Sequence, residues 1–362
     1  MNRPLDSAAT TPAVPRAVGP AGAPAAINTA GPKPLSDTTA IRSIGARWSR
    51  LRPLEVLFWV VAFAAAFVLP RGFLLLNELT ILALFAVSLD LILGYAGIVS
   101  LGHAAFFGLG AYAAALLAKH FGIDPVLGLL AAAGLSAMLG LVSSVLVMRG
   151  TDLTRLMVTL GVALIMYEVA NKLDWLTGGA DGLTGVTMVP LFGTFEFDLF
   201  GRTAYLYSLT VLAILFFLAR FVIKSPFGMS LQVVRQNPLR AAAMGVNVNR
   251  RRAAIYTMAG AYAGVAGALL AQTTGFASLD VLDFHRSADV LLMLVIGGAG
   301  YLYGGIIGAI VFKLMQDWLS GITPQYWQFW IGMLLVIIVV VGHDRLVRPW
   351  TWFKRSGGST SS

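Results

Sequence analysis

The chain has 362 residues, of which 57% are hydrophobic and 12% charged, with a formal net charge of +9 and no cysteine. Its charged fraction is about half that of an average soluble protein, and the missing thiols exclude disulfides, thiolate metal sites and a cysteine nucleophile. In a soluble chain the positive balance would suggest nucleic acid. Here the basic residues sit in short loops between apolar runs, where they set membrane topology and imply no nucleic-acid partner.

Residues 1–43 are rich in Ala, Pro, Thr and Gly without apolar periodicity, which predicts a disordered cytoplasmic tail and not a secretory signal. Arg42, Arg47, Arg50 and Arg52 then precede the first apolar run, Leu54–Leu69, and place the N-terminus in the cytoplasm. Further spans are expected at Leu74–Leu93, Ala104–Ala118, Pro125–Met148 and Leu156–Leu173, with Arg149 and Arg155 marking a cytoplasmic turn between the last two. The loop Asp174–Thr203 holds Asp174, Asp181, Glu196 and Asp198 against Arg202 and is expected outside. A sixth span, Ala204–Ile223, leads into a basic segment, and a seventh, Ala253–Gly275, leads to an outer stretch with Asp280 and Asp283. Asp289–Leu319 is too long for one crossing and is expected to break at Gly297-Gly298 and Gly304-Gly305 into two helices. A last span, Tyr326–Val341, precedes Arg345, Arg348, Lys354 and Arg355. Trp327, Trp330, Trp350 and Trp352 fit interfacial aromatic belts.

The expected fold is therefore an all-α polytopic membrane protein of about ten transmembrane helices, some broken by glycine. A membrane domain covers 44–347, a cytoplasmic tail covers 348–362, and both termini lie inside. The lipid bilayer is its immediate surrounding.

The segment 224–252, KSPFGMSLQVVRQNPLRAAAMGVNVNRRR, carries Lys224, Arg235, Arg240 and Arg250–Arg252 and no acid, which places it in the cytoplasm. Ser225-Pro226-Phe227-Gly228 reads as a turn. Leu239–Met244 reads as a short Ala-rich helix with Asn237 as N-cap, Pro238 at N1 and Gly245 at C′. A capped helix between two spans offers a handle for a soluble partner.

On these residues the segment resembles the coupling loop of ATP-binding-cassette importer permeases. The wider pattern is similar to the inner-membrane permease subunits of branched-chain amino acid importers. The matching pieces are the run from Leu93 through Gly94, Tyr95, Ala96 and Gly97 to Gly108, then Ser225–Gly228, Arg235-Gln236-Asn237, Ala243-Met244-Gly245 and Val295–Gly298. Where the family loop usually has acids, this chain has Gln236, Pro238 and Ala242. The resemblance implies a second homologous permease subunit, two cytoplasmic ATP-binding subunits, an extracytoplasmic substrate-binding protein and an inner-membrane location. It implies contact of the ATPases with Arg235, Gln236, Asn237, Pro238, Leu239, Arg240, Ala241, Ala242, Ala243, Met244 and Gly245. The substrate it implies is leucine, isoleucine, valine or a similar small amino acid.

Within the membrane, Gly94–Gly110 is the most informative stretch. Its glycines, including Gly94, Gly97 and Gly102, with Ser100 and His103 between them, cannot form one uniform helix cheaply, each costing about 1 kcal/mol relative to Ala. Two readings stand: a helix break beside the translocation path, or close helix packing through small residues. Tyr95, Gly297 and Gly298 complete the expected path. Gly94-x-Ala96-Gly97-x4-Gly102 has the spacing of Gly297-x-Ala299-Gly300-x4-Gly305, as duplicated halves of a transporter would or as chance in apolar helices would. Asp90 is an intramembrane acid, by default a functional group, and an arginine of a cytoplasmic loop would make it a gate or a latch. His103 reads as a helix-start or packing residue. Glu168/Lys172 and Lys313/Asp317 read as self-neutralised pairs near span ends. Gly260-x3-Gly264 with Gly267, and Gly304-x3-Gly308, have the spacing for close helix contacts, within the chain or against a second permease subunit, with the former preferred.

No lysine follows a glycine, so there is no phosphate loop; no dinucleotide fingerprint, nucleophile elbow or metal spacing occurs either. No cofactor and no catalysis are expected in this chain. A stand-alone ion-coupled secondary carrier or channel for a small neutral solute is the alternative, with Asp90, Glu168 and Asp317 as its coupling candidates.

Overall fold

The computed structural model describes residues 53–68, 72–191, 201–322, 324–326, 328–333 and 336. The expectations for the N-terminal tail and its arginines, for Glu196 and Asp198, for Trp327 and for the C-terminal basic tail with Trp350 and Trp352 lie outside these residues. Among the described residues the regular structure is helical apart from isolated bridge positions, among them the pair Leu183 and Ala277.

The helices are α1 (Pro53–Val68), α2 (Phe73–Asp90), α3 (His103–Phe121), α4 (Pro125–Val147), α5 (Asp152–Lys172), α6 (Asp174–Thr177), α7 (Arg202–Lys224), α8 (Pro226–Gln236), α9 (Pro238–Ala243), α10 (Val248–Thr274), α11 (Phe284–Gly297) and α12 (Leu302–Ile322). α2 runs on through a π-helical turn, Leu91–Tyr95. Seven of them (α2 with that turn, α3, α4, α5, α7, α10 and α12) are long and apolar enough to cross a membrane. α1, α11 and the helical backbone at 328–333 fall where the other three expected segments lie.

Packing explains the order of burial. α10 lies at the centre, against α4, α3 and α2. Lipid gives no hydrophobic drive between helices, so close backbone approach through small residues must hold them. A Cβ on Gly260 would sit 3.0 Å from the Ser136 carbonyl oxygen; on Gly264 it would strike the Ser136 side chain, and on Gly267 the Phe107 carbonyl. Gly304 and Gly308 likewise seat α12 against Gly297 and Met293 of α11. Both glycine stripes thus serve contacts within the chain. Buried polar groups add cross-links: Ser208 donates to Asn77 (2.7 Å), Asn77 to Thr273 (3.0 Å), Tyr207 to Gln272 (2.9 Å) and Gln272 to the Pro125 carbonyl (2.8 Å). Glu55 and Arg220 pair α1 with α7.

Three local expectations change. Ser225–Gly228 is not a free turn: Ser225 is the extended N-cap of α8 and Pro226 its N1 residue. Gly228 lets this first turn fold back onto the end of α7, where a Cβ would strike the Ile223 carbonyl. Gly304-Gly305 lies inside α12, because those glycines serve contact with α11 and with the Ala86–Val87 backbone of α2. The break falls instead at 298–301, where Gly298 (φ 90°) and Gly300 (φ 92°) take the left-handed conformation that glycine tolerates. Finally, α10 begins at Val248, capped by Asn247, whose side chain accepts from Arg250 N at 3.1 Å, so Arg250–Arg252 lie on the helix and not in a loop.

α11 has 14 residues, about 21 Å of helix, short of the roughly 30 Å hydrocarbon core. Its N-cap, Asp283, accepts from the His285 backbone N–H, which holds that carboxyl below the usual carboxylate range. The preceding turn, Leu279–Leu282, reaches into the bundle, since a Cβ on Gly108 of α3 would run into the Leu282 side chain.

Candidate functional site

The sequence-predicted coupling helix is α9, and its ends are closed as its residues dictate. The Asn237 side chain accepts from Arg240 N at 2.9 Å, and Pro238 stands at N1. At the other end Gly245 takes φ 83°, with Gly245 N donating to Ala242 O and Val246 N to Ala241 O, both at 3.0 Å. That pair of bonds is the Schellman closure. From Arg235 to Gly245 every residue is exposed except Ala241, which is fully buried. Leu239 is 84% exposed and Met244 60% exposed. Leu239, Arg240 and Met244 therefore form the outward surface, and Ala241 seats the helix on its own chain. α8 carries this unit: Leu231 and Val234 are buried, and Arg251 at the start of α10 lies over the Phe227 ring at 5.1 Å.

Beneath α8, three parts of the expected path meet at one side chain. The Arg235 guanidinium donates to the Gly94 carbonyl. Asp90, fully buried, accepts from Gly300 N at 2.7 Å and interacts electrostatically with Arg235. A Cβ on Gly97 would sit 3.0 Å from Arg235 Cγ, and one on Gly300 3.4 Å from its Nη1. Gly97 (φ 70°) and Gly300 (φ 92°) are corresponding positions of the sequence echo, and both are left-handed. One arginine of the coupling segment thus touches both glycine breaks, while Asp90 ties one break to the other. Gly94 is required here: a Cβ would collide with the Asp90 carboxylate folded back along the π-turn, and such turns recur at functional sites. Tyr95 is buried beside this joint.

The remaining path residues lie elsewhere in the interior. Gly102 precedes α3 and abuts the Thr159 backbone of α5. Ser100 and His103 are fully buried; His103 Nε2 lies 2.8 Å from Ser88 Oγ, and its ring stacks on Phe85 with centroids 5.5 Å apart. Its Nδ1 is buried without a hydrogen-bond partner among the described residues. Gly297 packs against Gly304, and Gly298 closes α11.

Lys313 does pair with Asp317 (3.3 Å), but its shorter bond, 2.7 Å, crosses to Glu78 on α2. Glu168 and Lys172 form only an exposed local pair at 3.8 Å. Sequence reasoning passed over Glu78, Arg286, Asp289 and Gln316, which a cavity between α2, α3, α11 and α12 brings together. The available signal was that each is polar or charged within an otherwise apolar stretch.

The charges also sort by end. Arg252 at the start of α10 lies near Arg155 and Asp152 at the start of α5. At the opposite end Lys119 reaches the Thr184 carbonyl (3.1 Å), and the segment after α6 pairs with Ala277.

A bundle of membrane-length helices, with glycine breaks beneath a capped exposed helix at one end, fits a multi-pass membrane permease. The chain belongs to the family described as "Branched-chain amino acid transport system / permease component", whose pattern matches residues 73–339. It is 28% identical over 308 residues to the high-affinity branched-chain amino acid transport system permease protein LivM of Escherichia coli (strain K12), covering 78% of this chain and 71% of the relative. It is 29% identical to the probable branched-chain amino acid transport permease protein LivH of Methanocaldococcus jannaschii, covering 58% and 67%. It is 30% identical to the galactose/methyl galactoside import permease protein MglC of Haemophilus influenzae, covering 59% and 65%. No solved structure matches the chain.

Proposed function

We propose that the chain is the permease subunit of an ATP-driven importer, carrying a branched-chain or similar small amino acid inward across the inner membrane by alternating access. The observation that supports this most is the linkage from α9 through α8 and Arg235 to both glycine breaks. A partner pushing on Leu239, Arg240 and Met244 would move Arg235. The carbonyl of Gly94 and the Asp90–Gly300 bond would then transmit that shift to α2 and to the α11–α12 junction. The basic residues of 224–252 orient this end toward the cytoplasm, which puts the Asp280–Asp283 end outside. Two ATP-binding subunits act on α9 of this chain and of a second homologous permease, and a soluble binding protein delivers substrate outside. The amino-acid substrate is carried over from the names of the LivM and LivH relatives.

The test is recovery of the detergent-solubilised chain from its native membrane with an assay of copurifying ATPase. ATPase recovered with the intact chain, and lost when 237–245 is scrambled, is the expected result. An abundant, folded chain free of ATPase, with uptake that collapses with the ion gradient, would replace this reading with an ion-coupled carrier.

A further inference from the structure

The cavity between α2, α3, α11 and α12 has a volume of about 130 Å³. Glu78, Arg286, Asp289 and Gln316 supply its polar lining, and Phe85, Phe107 and Phe312 are prominent in its apolar lining. Charged side chains within membrane helices are costly to keep and mark substrate routes by default. Two of these groups are already matched: Glu78 by Lys313 at 2.7 Å, and Arg286 by Asp280, to which its Nε donates at 3.1 Å. Asp289 and Gln316 line the cavity as well, and Asp289 feels the charges of Arg286 and His285 without a direct bond to either among the described residues.

We propose that this cavity is a substrate subsite for a zwitterionic α-amino acid with a small apolar side chain. The proposal rests on the importer reading above and adds a binding site inside the permease itself. Asp289 takes the ammonium, Arg286 takes the carboxylate, and the side chain lies on the phenylalanines. Charge supports the sense of the ligand. Asp280, Asp283, Asp289, Glu78 and Asp317 stand against Arg286, Lys313 and His285, an acidic excess that favours a cationic group, while Arg286, bonded to Asp280 through Nε and Nη2, keeps Nη1 for a carboxylate. An ammonium would give the Asp289 carboxylate the direct partner that Arg286 and His285, acting at a distance, do not. Size agrees as well: an apolar cavity of roughly 150 Å³ holds benzene, so 130 Å³ takes an isobutyl-sized group with its charged end at the polar lining.

Position connects the subsite to the joint below it. Glu78, Leu82 and Phe85 recur on one face of α2 at helical spacing and line the cavity. Phe85 contacts Phe107 with centroids 4.5 Å apart and stacks on His103, which is bonded to Ser88. One further turn along α2 stands Asp90. Occupancy of the cavity therefore bears on the same helix that Arg235 grips at its other end.

This chain contains no cysteine, so Gln316→Cys introduces one reporter into it, read on this chain's band after labelling of the assembled importer in vesicles. Labelling by a small methanethiosulfonate reagent is expected to slow about tenfold in saturating leucine. Leu314→Cys, on the exposed face of α12, should label equally with and without leucine. Adding Asp289→Asn to Gln316→Cys should abolish the protection by weakening leucine binding about tenfold, the scale of one charge-assisted bond; Asp289→Glu should retain it. Leucine uptake without protection at Gln316→Cys overturns the subsite and leaves the importer reading standing. Protection that survives Asp289→Asn overturns the ammonium assignment. Protection by galactose, with no amino acid taken up, overturns both.

Discussion

Replacing Asp90 tests the linkage most directly. Asp90→Ala strips Gly300 N of its acceptor at 2.7 Å, and a buried N–H left unpaired costs about 1–3 kcal/mol. It also removes the carboxylate that Arg235 faces. Asp90→Asn keeps an oxygen for Gly300 and loses the charge; the gap between charged and neutral hydrogen bonds is about 1 kcal/mol, or about fivefold in an equilibrium. In proteoliposomes holding the full importer, substrate moved per ATP hydrolysed should fall about tenfold or more for Asp90→Ala and about fivefold for Asp90→Asn. Thermal unfolding of the same samples separates mechanism from assembly. A lowered Tm with an unchanged transport ratio would reduce the joint to a fold latch. An Asp90→Ala chain with normal ratio and normal Tm would refute the argument altogether.

Leu239→Asp puts a charge on the most exposed apolar residue of α9; copurified ATPase should be lost at normal chain abundance. Gly97→Ala forces a side chain into φ 70° beside Arg235 at a cost of about 1–2 kcal/mol, and should lower both Tm and coupling. Gly264→Leu should destabilise by about 2–4 kcal/mol, because the α4–α10 contact leaves no room at Ser136. Lys313→Met should lower Tm by leaving Glu78 unpaired, and Glu78→Gln in the same chain should recover much of the loss; a double-mutant cycle with no coupling term would count against the pair.

Local chemistry was legible wherever neighbouring residues decide the backbone. Asn237-Pro238 and Gly245 closed α9 as read, because capping bonds span only a few residues. The start of α10 was misplaced because the arginines of 250–252 resemble a loop in hydropathy, yet they are good helix formers once Asn247 caps them. Gly304-Gly305 misled for another reason. A glycine pair can break a helix or seat one, and the choice depends on whether a second backbone lies close by, as Ala86–Val87 and Gly297 do here.

Apolar run length, basic clusters and the capped α9 motif determined the membrane class, the number of segments and the place of the exposed helix from sequence alone. These features act over short range or through solvation by lipid, so they need no knowledge of distant contacts. Tertiary structure decided the rest. Only folding places Arg235 against Gly94 and Gly300, Asp90 against Gly300, and Glu78 against Lys313. Those partners lie far apart along the chain, and a buried charge takes its meaning from whatever neighbour packing brings within a few ångströms.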